Sequence, residues 1–121
     1  MMGKTLMMAF ALAGCAASAG EVRMERFQKT GLSSPMLSVD SGQRLTFVND
    51  DARPHQVYSP DCAQLSSLPL RSGEGFTTAA PAGPRVCHFQ DLLDPLEPAY
   101  TGAVTVAQGP ADDWVQTNIT P

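Results

Sequence analysis

The sequence predicts an all-β domain, a sandwich or small barrel, on three observations. Apolar and polar residues alternate in several short runs, the period of half-buried strands. Ten Gly and ten Pro punctuate those runs at close intervals. No stretch carries a long helical period with caps, although Asp61 to Leu65 has the makings of a single turn. A length of 121 residues gives one small domain, and a hydrophobic share of 43% suffices for a packed core.

The elements follow in order. Glu21 to Gln28 is the first strand, with Val22 and Met24 as its apolar set, and Met36 to Val39 is the second, with Leu37 and Val39. Ser41-Gly42 makes a turn into Arg44 to Val48, where Leu45 and Phe47 share a face. Asn49-Asp50-Asp51 ends that strand, and a short extended piece, Gln56 to Tyr58, follows Pro54. Leu68 to Phe76 holds Pro69 and two Gly, so it reads as loop and edge. Ala82-Gly83-Pro84 opens a strand from Arg85 to Phe89. Asp91 to Pro98, with acids and prolines, is a loop, and Thr101 to Ala107, with Val104 and Val106, is the last strand. The segment from Ala111 to Pro121 is polar apart from Trp114, Val115 and Ile119, a frayed tail or a strap laid on the sandwich.

The first residues belong to export rather than to the fold. A short positive start precedes an apolar run from Thr5 to Ala13. That run falls well below the roughly 20 residues that span a bilayer as a helix, and it has the proportions of a secretory signal peptide. Leu12-Ala13-Gly14-Cys15 resembles a bacterial lipobox, in which the Cys sulfur is lipidated. Ala17-Ser18-Ala19 is a competing cleavage site that would leave a soluble chain from Gly20. The expected division is a signal segment over 1–19, one domain over 20–108 and a tail over 109–121. The expected location is the periplasm or cell envelope, with the membrane reached only through a lipid on Cys15. Under either cleavage Cys62 and Cys87 remain, an even pair in a compartment where disulfides persist.

Charge narrows the function classes. A formal net charge of −4 provides no basic stripe for nucleic acid. The sequence has no G-x-S-x-G elbow, no H-E-x-x-H helix and no phosphate-cradling glycine loop, so an enzyme is a minor reading.

Ser41-Gly42-x-x-Leu45-x-Phe47-x-Asn49-x-Asp51, His55, Leu70-x-x-Gly73-x-x-Phe76, Gly83-x-x-x-Cys87 and Gly102-Ala103-Val104-Thr105-Val106 together resemble the cupredoxin, or blue copper, pattern. The resemblance covers Glu21 to Val106 and implies a Greek-key β-sandwich or barrel of the cupredoxin type. It also implies copper as cofactor, one-electron transfer or copper handling as the role, and a redox protein or copper donor as partner. A blue-copper centre needs one thiolate, two imidazoles and a weak axial donor. The resemblance implies His55, Cys87 and His88 for the first three, with Cys62 as a fourth ligand if zinc or Cu(I) is held by a Cys2His2 set.

The sequence departs from that pattern in three places. His88 directly follows Cys87, and adjacent strand residues point to opposite faces, whereas a C-x-x-H spacing would fall on Gln90. Tyr100 stands where an axial Met would precede Thr101-Gly102. Cys62 lies seven residues after His55, within reach of Cys87 at one end of such a sandwich. A Cys62–Cys87 disulfide, worth about 3 kcal/mol through loop closure, would use the sulfur that copper needs. The alternative function is therefore a metal-free envelope binding or structural module stapled by that disulfide. His55 after Pro54 also fits an exposed loop residue, and His88 alone fits a surface residue. Glu97 could supply an oxygen ligand, but a solvated loop acid is its default. Asp91, Asp94 and Glu97 lack the ordered spacing of a calcium loop, and solvent exposure is the expectation for them too. Asn118-Ile119-Thr120 fits a glycosylation sequon, which carries no meaning beside a bacterial lipobox.

Overall fold

A computed structural model describes residues 21–108, and the expected signal segment, Cys15 and the tail lie outside them. Eight strands form two four-stranded sheets. They are β1 (Val22–Gln28), β2 (Gly31–Leu32), β3 (Met36–Asp40), β4 (Arg44–Asn49), β5 (Val57–Tyr58), β6 (Gly75–Ala79), β7 (Arg85–Asp91) and β8 (Thr101–Ala107). One sheet runs β2-β1-β4-β6 and the other β3-β8-β7-β5. β1 lies parallel to β4 and β3 parallel to β8, while the remaining pairs are antiparallel. Single 3₁₀ turns occupy Ala63–Leu65 and Pro98–Tyr100.

Alternation produces the core. Leu45 and Phe47 point inward from β4, Leu37 and Val39 from β3, and Val104 and Val106 from β8, all buried. Across the interface Phe47 meets Phe89 of β7 edge to face at 5.3 Å. Gly102 lets β8 approach closely, since a Cβ there would lie 2.7 Å from the Pro35 carbonyl oxygen and 2.8 Å from the Phe89 ring.

Besides the two-residue β2 and the turn at Pro98–Tyr100, which the sequence reading does not include, three strands differ from expectation. On β1 the inward set is Glu25 and Phe27, while Val22 and Met24 lie on the outer face, 42% and 40% exposed. Both phases of this strand carry apolar residues, and the burial of Phe27 decides the register. β6 continues past the anticipated edge segment to Ala79. Its Gly-Phe-Thr-Thr-Ala sequence offers little apolar contrast, and pairing with β4 sets its limits. β7 extends two residues past Phe89, which makes Asp91 a strand residue facing inward rather than a solvated loop acid.

Glu25 is the consequence of that register on β1. Its Oε2 accepts from the Arg26 and Ser34 N–H groups and the Ser33 hydroxyl, while Oε1 is buried without a partner. Burial pushes its pKa up, outweighing the bonds from Ser34, Ser33 and Arg26 that lower it.

Candidate functional site

The end of the sandwich where β4 and β7 finish carries the densest buried polar chemistry. Asn49, the last residue of β4, shapes the loop that follows. Its Oδ1 accepts from the Asp51 N–H at 2.8 Å, and its Nδ2 donates to the carbonyls of Arg53 and Leu70, both at 2.8 Å. His55 then bridges to Leu70 through two backbone hydrogen bonds. This places the His55 side chain inside, 1% exposed, with its ring stacked on Phe27 at 5.0 Å and tilted against Tyr100 at 4.6 Å.

Both ring nitrogens of His55 are engaged. Nδ1 faces Asp91 Oδ2 at 2.5 Å, and Nε2 faces Asp51 Oδ2 at 2.9 Å. The two carboxylates lie against opposite nitrogens of one ring. Asp91 Oδ1 also accepts from the Gln56 and Leu93 N–H groups, at 2.9 and 3.0 Å. Asp51 accepts from the Ala52 N–H and from Arg53 Nε. The hydrogen bond from His55, with smaller help from Ala52 and Arg53, holds the Asp51 pKa down to about 2 against the opposing effect of burial. Arg53 donates onward to the Tyr100 hydroxyl, which lies within hydrogen-bond reach of the Gln28 and Lys29 carbonyls. Desolvation raises the Tyr100 pKa.

The other residues singled out in the sequence lie elsewhere. Cys87 is fully buried and bonded to Cys62, with S–S 2.09 Å and Cα–Cα 5.6 Å. This is the disulfide alternative. His88, the next residue on β7, points outward with 65% of its side chain exposed, and its Nδ1 meets Asp61 Oδ2 at 2.9 Å. That bond is the largest cause of the lowered Asp61 pKa. The two histidines therefore stand on opposite faces of a sheet. Tyr100, at the position of the missing Met, is buried against His55. Glu97 is half-buried in the loop and its Oε2 accepts from the Ala99 N–H, so it stays a loop acid.

These residues do not fit a blue-copper centre. The sulfur of Cys87 is spent on Cys62, His88 lies outside, and both nitrogens of His55 are bound to carboxylates. Among the described residues, no three His, Cys, Asp or Glu side chains are grouped to hold a metal ion.

Asp51 and Asp91 were missed as partners of His55. The signal for Asp91 was available, because residues 87, 89 and 91 share one face of a strand. The parity that separates Cys87 from His88 continues past Phe89 to Asp91.

No family model matches the chain, and no curated protein matches it. Solved structures do. A purple cupredoxin from Nitrosopumilus maritimus superposes with a TM-score of 0.59 at 23% identity, over 70% of this chain and 99% of that one. The fold is that of the cupredoxins. Amicyanin from Paracoccus versutus is similar at a TM-score of 0.58 and 16% identity, covering 72% of this chain and 82% of its own. An oxidised amicyanin variant gives 0.59 at 22% identity, over 70% and 81%. At these identities the likeness to cupredoxins concerns the fold.

Proposed function

We propose that this chain is an exported cupredoxin-fold module that works without blue copper, as a binding or structural domain of the cell envelope. One observation carries the reading. The only sulfur on β7 is buried in a disulfide with Cys62, so the thiolate that defines blue copper is absent. A disulfide also accords with the export read from the leader, since such bonds persist in oxidising compartments. A binding role finds support in the loop after β7. It exposes Leu92, Leu93 and Leu96, the last 92% accessible, on a backbone pinned by successive turns from Asp91 to Tyr100. Lipid attachment through Cys15 belongs to the same proposal, and Cys15→Ala should move the protein from the membrane fraction to the soluble one. Unchanged fractionation would refute the anchor.

Copper-based electron transfer is the second reading, favoured by the likeness to the purple cupredoxin and amicyanin. Titration of the purified oxidised chain with Cu(II), followed by visible absorption, separates the two. The metal-free reading expects no intense thiolate-to-copper band. An intense band that disappears in Cys87→Ser would establish the copper reading in its place.

A further inference from the structure

Three segments meet around His55. They are the loop after β4 (50–56), the end of β7 with the loop that follows it (91–100), and the end of β1 at Gln28 and Lys29. In a metal-binding sandwich a bound ion would cross-link such loops from within. Here the imidazole lies between two carboxylates, each satisfied by further donors, and Phe27 and Tyr100 close the space around the ring. The charged and titratable groups of the cluster come from two of these segments, Asp51, Arg53 and His55 from the first loop and Asp91, Asp94 and Tyr100 from the second, while the third contributes the backbone carbonyls of Gln28 and Lys29. Arg53 joins both loops again, through Tyr100 at 3.0 Å and Asp94 at 3.9 Å.

We infer that the Asp51–His55–Asp91 triad is a hydrogen-bonded clasp that does, without a metal ion, the work of cross-linking the loop after β4 to the loop after β7. Each ring nitrogen reaches its own carboxylate, and Asp91 turns its second oxygen to one amide on each side: Gln56 in one loop and Leu93 in the other. One buried side chain thus fixes backbone on both sides of the joint. A charge-assisted pair in a dry site is strong when its remaining lone pairs are filled, and here all four carboxylate oxygens of the two acids accept a bond. The clasp also leaves His55 no free nitrogen for a metal. The inference extends the metal-free reading but stands on different atoms, since it does not involve the disulfide.

Amide hydrogen exchange on the full chain tests it, using wild type, His55→Gln and the milder Asp51→Asn, with Zn(II) and Cu(II) as added probes. In wild type neither ion should change exchange in 50–56 or 91–100. In His55→Gln, exchange should accelerate by about tenfold or more at both Gln56 and Leu93, while amides of β3 and β8 keep their protection. Asp51→Asn should show the same paired effect at smaller size. Acceleration confined to 50–56, with Leu93 unaffected, would overturn the clasp. So would wild-type exchange in both loops slowed by either ion. Copper bound elsewhere, with the loops still coupled, would leave the clasp standing and count only against the metal-free reading.

Discussion

The two faces of β7 are made of alternate residues of one seven-residue strand, yet they differ in kind. Inward, Cys87, Phe89 and Asp91 are at most 1% exposed and join, in turn, a disulfide, the aromatic core and the His55 triad. Outward, Val86 is 46% exposed and the His88 ring meets the Asp61 carboxylate in solvent. Each face brings a histidine against an aspartate, His55 to Asp91 at 2.5 Å inside and His88 to Asp61 at 2.9 Å outside. Distance alone does not decide what each pair is worth. Burial does, because water screens one pair and is excluded from the other.

The comparison can be broken most forcefully at Asp91. Asp91→Ala should cost about 3–5 kcal/mol in chemical denaturation, since it leaves His55 Nδ1 and two amides without their acceptor in a buried site. A loss no greater than that of an average surface substitution would place the triad with the solvent-facing pairs. Next comes the disulfide: replacing both Cys62 and Cys87 by Ala should lower stability by about 3 kcal/mol, the entropic worth of a loop of this length.

A third test carries the inward–outward logic to β1. The Glu25 pKa is raised in the folded chain, so the stability linked to its protonation is fully present below the unfolded value and is lost as pH rises through the folded one. Glu25→Gln should accordingly raise Tm at pH 8 more than at pH 4. Asp51 runs with the opposite sign, its contribution present above its ordinary value of 3.8 and lost as pH falls through about 2. The smallest effect belongs to the outer face, where His88→Ala should leave Tm within about 2 °C of wild type.

Much of this contrast was legible in the sequence. The alternation of Leu37 with Val39, Leu45 with Phe47 and Val104 with Val106 gives the sandwich, because each pair shares one face of its strand and is buried. The same rule placed Cys87 and His88 on opposite faces. It failed on β1, where Val22 and Met24 compete with Phe27 for the inward phase, and only packing against the second sheet resolves the tie. The site was legible by halves. His55 was marked by its place after the Asn-Asp turn, whereas Asp91, 36 residues away, becomes its partner only through the pairing of β5 with β7. Long-range pairing of this sort leaves no local trace beyond the parity of residues 87, 89 and 91.

The central claim is that the inward face of β7 closes on itself without a metal ion, and the state of Cys87 tests it most directly. Peptide mapping of the purified, unreduced chain after alkylation should recover Cys62 and Cys87 in one disulfide-linked peptide pair, which separates only after reduction. Recovery of Cys87 as an alkylated free thiol would contradict the account.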